Sequence, residues 1–191
     1  MKVLVACECS GVVREAFRKR GHDAWSCDLK PADDPWNGNH YQHDVLHILE
    51  KDWDLIIAHP PCTYISNMSN CRIKEPGRME KRKEGYDFFY QFTNLMCPKV
   101  AIENPRGLPE RLWRKPDQII QPYQFGHPMS KATCLWLKGL PTLKPTKIIP
   151  FDRVWDGKRW RTWVDTMSSH NSHKRSITFQ GIADAMAEQW G

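Results

Sequence analysis

Short apolar runs, each stopped by proline, glycine or an acid, set the pattern of this chain. Leu55-Ile56-Ile57-Ala58 is continuous, apolar and of strand length, and reads as a fully buried strand. His59, Pro60, Pro61 and Cys62 follow. A proline has no N–H and a fixed φ, so the ladder must stop at this pair and the tip must be stiff. Cys62 then stands just beyond the carboxyl end of a central strand, the edge where open α/β sheets bind ligands. A second run, residues 98–102, leads into Glu103-Asn104 and again meets proline at Pro105. A thiol and a carboxyl group are thus expected on neighbouring strand tips, a pairing suited to covalent chemistry.

The same pattern fills in the rest. Residues 3–7 form a first strand, residues 7–11 a turn, and residues 12–20 a helix with Val13, Ala16 and Phe17 on one face and Gly21 closing it. Residues 24–27 form a second strand ending at Asp28. Strand, tight turn, helix, strand and acid make the layout of a Rossmann-type first unit, in which such an acid commonly receives ribose hydroxyls. Only Gly11 stands in the turn, so the pyrophosphate fingerprint is absent, and a nucleoside cofactor without a diphosphate fits better. Asp28 as an ordinary strand-end acid is the plain alternative. Residues 31–38 are a polar loop. A short helix runs from His43 towards residue 50; Asp44 either caps it or meets a base amine of a cofactor.

Residues 67–85 are rich in charge and are expected to form a mobile loop beside Cys62, with a helix starting near Arg78. Its basic side chains could clamp phosphates or simply face solvent. Phe88, Phe89, Phe92, Leu95 and Met96 continue as an apolar core stripe. A short helix to Trp113, a loop over residues 121–127, a strand over residues 134–137 closed by Gly139, a short strand at residues 148–149 and a final helix over residues 181–189 complete the order. The sum is an α/β chain: one Rossmann-like, mostly parallel sheet flanked by helices, a single domain over 1–191 with a small basic, tryptophan-rich insertion near 140–175.

Composition narrows the function classes. Apolar residues make up 40% and charged residues 26%, and no apolar run approaches the length of a membrane span. The start is too short and too soon acidic for a signal peptide. Seven cysteines, an odd number, then read as reduced thiols, and the expected location is the cytoplasm. Cys7 and Cys9 with His40 and His43 match no common zinc spacing, so no metal is expected. A net charge of +6 and nine tryptophans suit a polyanion partner with base stacking, or equally a mildly basic enzyme with a well-filled core.

Taken in order, these motifs resemble the cytosine-C5 DNA methyltransferase family, especially its short phage-type members. Pro60-Pro61-Cys62 matches the family's proline-cysteine nucleophile motif and Glu103-Asn104 its glutamate-asparagine motif. The likeness spans nearly the whole chain. It implies a class I methyltransferase fold, S-adenosyl-L-methionine as cofactor, DNA as partner, and a phage- or bacterium-encoded enzyme of the host cytoplasm, monomeric or dimeric. It also implies roles. Cys62 adds to C6 of cytosine. Glu103 faces ring N3 and must carry or share a proton, which burial would favour by raising its pKa. Asn104 supports that loop. Asp28 meets the cofactor's ribose and Asp44 its adenine, with Glu8, Cys9, Ser10, Gly11, Leu29, Val45 and Pro60 around it. His59, Pro61, Thr133, Arg159 and Arg161 contact the substrate.

Three motifs depart from the family. Its paired arginines fall at Lys131 and Thr133; Lys131 can still donate to the base or to a phosphate, but not as a fork. Its glycine before the proline-cysteine is His59, and its late glycine-asparagine is reduced to Gly181-Ile182. The large target-recognition domain is missing. The leading expectation is C5 methylation of cytosine in DNA. The alternatives are the same reaction on free deoxycytidine nucleotide (dCMP) or RNA cytosine, and an inactive nucleic-acid-binding relative.

Overall fold

The computed structural model describes residues 1–34, 38–151, 154–155, 160–161 and 175–191. Seven strands form one sheet: β1 (Lys2–Ala6), β2 (Asp23–Asp28), β3 (His40–Gln42), β4 (Leu55–Ala58), β5 (Lys99–Pro105), β6 (Gln118–Ile120) and β7 (Thr133–Lys138). Their spatial order is β3-β2-β1-β4-β5-β7-β6. The β1–β2, β1–β4, β2–β3 and β4–β5 pairs are parallel, and β7 alone runs against its neighbours β5 and β6. The order reverses between β1 and β4, which opens the crevice where doubly wound sheets take their ligands. A separate two-stranded ribbon pairs β8 (Val154–Trp155) with β9 (Trp160–Arg161).

Strand alternation divides the interior into two layers. Val3, Val5, Leu55, Ile57 and Ala101 point to one face, covered by α1 (Val12–Arg18) and α4 (Gln180–Trp190). Leu4, Ile56, Ala58, Val100 and Ile102 point to the other, covered by Ile65, Phe89, Phe92 and Trp136. Phe89 lies on α2 (Arg78–Gln91), which begins at the expected residue. The short α3 (Leu108–Leu112) follows β5.

The apolar stripe extends less far than its spacing predicts. α2 ends at Gln91, a 3-10 turn covers Phe92–Asn94, and Met96 is 95% exposed because the chain leaves the helical path before reaching it. Residues 148–149 form no strand: Ile149 N–H donates to the Tyr123 carbonyl at 2.9 Å, a single loop bond, and only Lys147 bridges Phe125. β6 lies in a stretch that sequence pattern did not mark, held as an edge against β7.

Five tryptophans settle as packing residues. Trp53, Trp136 and Trp190 are buried, Trp113 packs against Trp136, and Trp25 stacks on Tyr41 at 4.8 Å. Trp155 is half exposed on the ribbon. The core thus absorbs most of the aromatic excess that could have served base stacking.

Arg14 of α1 is wholly buried. Its guanidinium donates to both carboxylate oxygens of Asp34 (2.7 and 2.6 Å), to Glu15 (2.9 Å) and to Ser26 Oγ (2.9 Å). A buried charge is tolerable only with such a full set of partners. Here it anchors the loop after β2 to α1. Among the described residues, no helix is long and apolar enough to cross a membrane, and no group of three His, Cys, Asp or Glu side chains is placed to hold a metal ion.

Candidate active site

Two strand tips carry the site. The β4–β5 register pairs Ala58 with Ile102, so the next positions, His59 and Glu103, stand side by side on neighbouring parallel strands. Alternation turns both towards the α4 face, the same face as Ile57 and Ala101. Glu103 and Asn104 lie inside β5, not beyond it; β7 pairs with them at Leu135 and Cys134, and with Pro105 at Thr133. His59 Nδ1 lies 3.1 Å from Glu103 Oε2, with side chains only 10% and 18% exposed.

The loops beyond these strands are stitched together. Asn104 Nδ2 donates to the Pro60 carbonyl at 2.6 Å, tying β5 to the proline tip. Ile65 and Ser66 N–H both donate to the Cys62 carbonyl (3.2 and 3.0 Å), so the chain turns sharply at the thiol. Leu108 N–H donates to the Ile65 carbonyl and Asn67 N–H to the Arg106 carbonyl (2.8 and 2.9 Å). Gly107 sits where any Cβ would overlap the Ile65 carbonyl oxygen, so this approach requires glycine.

The charges respond to one another. Burial pushes the Cys62 thiol above its ordinary value and the Glu103 carboxylate adds to this; the Lys131 and Arg175 cations oppose it. For Glu103, burial also acts upward, but the His59 hydrogen bond, its charge and the Lys131 ammonium outweigh it. Its pKa is therefore lowered, opposite to the expectation from burial alone. Lys131 acts on both groups while its Nζ donates to the Arg175 carbonyl (2.6 Å) and lies 5.8 Å from the Phe179 ring. Glu103, Lys131, Thr133, Phe179, Ile182 and Met186 line a small cleft beside α4. Thr133 is buried, its hydroxyl donating to the Lys131 carbonyl at 3.2 Å. Pro60 is buried and Pro61 exposed.

A second cluster gathers at the carboxyl end of β1. Cys7 holds φ 60, unusual for any residue but glycine, where the chain leaves the sheet. Its thiol is driven strongly upward, by burial first and then by Asp28, Cys27 and Asp44, so both carboxylates flank the end of β1. Glu8 is buried and caps α1: Oε1 accepts from Val13 N–H at 2.8 Å, Oε2 from Arg14 N–H at 3.2 Å, and Ser10 Oγ donates to Oε1 at 3.2 Å. Gly11 takes a left-handed φ of 72 before α1. Cys9 accepts from Asp33 N–H through its carbonyl (2.8 Å). Asp28 accepts from Lys30 N–H at 2.9 Å, and Leu29 beside it is 74% exposed. Asp44 accepts from Leu46 N–H at 3.0 Å, the cap that its position predicts, and Val45 is buried.

Of the residues expected in a site, Cys62, Glu103, Asn104, His59, Pro60 and Lys131 come together at the β4–β5 tips, and Glu8, Ser10, Gly11, Asp28 and Asp44 around β1. Arg159 lies outside the described residues. Arg161 falls on β9, and the structure describes its strand pairing alone. The phosphate clamp in residues 67–85 is partly pre-empted. Arg82 is buried on Ser69 Oγ (3.1 Å), Arg72 pairs with Glu75 and Lys83 with Asp87. Phe179 joins the site without any sequence signal of its own, and Arg175 joins it from the end of the basic insertion. The His59–Glu103 contact did have one: both residues directly follow apolar runs in adjacent strands.

No family model matches the chain, and no curated relative does. Among solved structures it is similar to a prophage-encoded E. coli protein described as a DNA modification methyltransferase, at 16% identity and a TM-score of 0.51, over 78% of this chain and 51% of that one. It is also similar to the Entamoeba histolytica methyltransferase EhMeth, at 15% identity and a TM-score of 0.53, over 77% of this chain and 57% of that one. The chain thus spans little more than half the length of either. The sheet order and these neighbours give it the Rossmann-like class I methyltransferase fold.

Proposed function

We propose that this protein is an S-adenosyl-L-methionine-dependent DNA methyltransferase that methylates cytosine at C5 through a covalent Cys62–C6 adduct. The observation that carries this reading is the locked pair of strand tips, with Asn104 tied to Pro60 and Lys131 acting electrically on both Cys62 and Glu103.

The β1 edge suits the cofactor. Asp28 and Asp44 both act on the Cys7 thiol at the end of β1, and we assign them to the ribose and the base of one nucleoside. Ser10 and Gly11 would border its amino-acid part, with Cys9, Leu29, Val45 and Pro60 around it, while Glu8 holds the turn by capping α1. When bound, the cofactor supplies an electrophilic methyl group.

Cys62 does the first work. Its raised pKa keeps it a thiol at rest, so it must lose a proton before it attacks C6. The Lys131 cation favours the thiolate. Addition pushes electron density through the ring towards N3 and makes C5 nucleophilic. Glu103 faces N3, where this density takes up a proton. Once C5 carries the methyl group, loss of the C5 proton to solvent and release of the thiolate restore an aromatic base. Reaching a base this way requires it to leave the stack.

DNA carrying 5-fluorocytosine tests this directly. Fluorine cannot leave as a cation, so the adduct should persist as a denaturation-resistant band that Cys62→Ala abolishes. A wild-type protein that forms no adduct, with cofactor present, on 5-fluorocytosine in DNA, in RNA or as the free nucleotide overturns the covalent reading and leaves the inactive-binder alternative. A second substrate is favoured by one observation. Only residues 139–179 separate β7 from α4, whereas sequence-specific duplex recognition buries about 1,000 Å² or more. Methylation of dCMP or RNA cytosine follows from that. Neutralising Arg159 and Arg161 decides between them: a DNA enzyme loses salt-dependent binding, and a free-nucleotide enzyme keeps its rate.

A further inference from the structure

The acid opposite N3 is built from two residues. Imidazole nitrogen without a proton only accepts hydrogen bonds, and so does a carboxylate. The 3.1 Å approach of His59 Nδ1 to Glu103 Oε2 therefore contains a proton. His59 is nine-tenths buried and its Nε2 is buried with no hydrogen-bond partner. A residue of this cost on the face of the reacting acid, where a smaller one would pack without an orphaned nitrogen, asks for a chemical reason. Resting on the methyltransferase reading above, we infer that His59 is a positioning residue and proton store for Glu103, so that a one-proton His59–Glu103 pair faces the base.

The groups around the pair agree. Glu103 stands on one side of His59 on β5. Buried Glu8, from the turn after β1, feels the His59 charge from another side. Lys131, ahead of β7, acts on Glu103, while Cys62 at the β4 tip feels both Glu103 and Lys131, with Arg175 beyond. The lowered pKa of Glu103 fits a carboxylate that is ionised until the base demands a proton.

The step balances as follows. The pair begins as His59 imidazolium and Glu103 carboxylate. As the Cys62 thiolate forms its bond to C6, the electron pair displaced through the ring arrives at N3. The Nδ1–H bond breaks, Glu103 receives that proton and passes it on, and an N3–H bond forms. His59 is left neutral with its remaining proton on Nε2. When the adduct collapses, N3 returns the proton by the same path.

His59→Asn places an amide N–H near the position of Nδ1 but has nothing to give up. Three readouts are taken: single-turnover methyl transfer to DNA across pH 5–9, cofactor affinity, and thermal melting. The expected result is a rate lower by about tenfold or more and a flattened acidic limb, with affinity and melting retained. External imidazole should restore rate to His59→Gly. A wild-type pH profile in His59→Asn, at any rate, overturns the inference. An imidazole ¹⁵N–¹H spectrum of the wild type supplies a readout independent of turnover. A slowly exchanging Nδ1–H signal lost in Glu103→Ala supports the pair, and its absence in wild type overturns it. Should that signal be present while no cytosine substrate is methylated, the methyltransferase reading fails and the proton pair stands.

Discussion

The turn after β1 and the joined tips of β4 and β5 each bury a glutamate, and the two behave oppositely. Glu8 spends its oxygens on the backbone of α1, yet burial dominates and its pKa is raised. Glu103 is mostly buried too, but a histidine partner and a nearby lysine reverse the balance and lower it. Burial alone does not assign a carboxyl group its charge; the nature of its partners does. Neutral amide dipoles hold a turn in shape. A titratable partner in the next strand makes a group that can exchange a proton. The first cluster reads as scaffold for a ligand and the second as chemistry.

The sharpest way to break this contrast is to replace each glutamate in turn. Glu103→Gln should cut single-turnover methyl transfer by about 100-fold or more, the usual loss when an acid–base group is removed, and leave cofactor affinity within about twofold. An unchanged rate would remove Glu103 from the chemistry. Asn104→Ala comes next. It frees the Pro60 carbonyl, and a buried acceptor left without its donor costs about 1–3 kcal/mol. Both urea stability and rate should fall, with the rate falling further because the Cys62 tip shifts relative to Glu103. Glu8→Ala should do the reverse of Glu103→Gln: loss of the α1 cap lowers stability by about 0.5–2 kcal/mol, while the rate per folded molecule with saturating cofactor changes little.

The smallest effect is the most specific. A raised pKa stabilises the fold below the ordinary glutamate value of 4.5, and that contribution is lost as pH rises through the folded value. A lowered pKa stabilises it above 4.5, and that contribution is lost as pH falls through the folded value. Urea stability should therefore show two limbs of opposite slope on either side of 4.5. Glu8→Gln should flatten the limb above it and Glu103→Gln the limb below. If either change flattens the wrong limb, the two sites have been assigned in reverse.

Much of this was legible in the residues themselves. Apolar runs of strand length, the helical stripe of Val13, Ala16 and Phe17, and the breakers Gly21 and Gly139 are local signals that act before the chain folds. They place β1, β2, β4, β5, β7, α1, the start of α2 and the final helix. The double proline fixes where β4 ends and so where Cys62 stands. The weak edge strand β6, the exposed Met96 and the failed strand at residues 148–149 were not legible, because each depends on whether a neighbour is present to pair or pack. Nor was the buried Arg14, whose partners Asp34 and Ser26 come from other segments.

The amino-acid order by itself determined the candidate nucleophile, the candidate acid and the carboxyl edge on which both lie, since these follow from strand length and from proline's missing donor. Tertiary structure alone decided the charge of that acid. Only when β4 and β5 align in parallel, Ala58 beside Ile102, does His59 meet Glu103. Proton affinity depends on what lies within a few ångströms, and sequence separation says nothing about that distance.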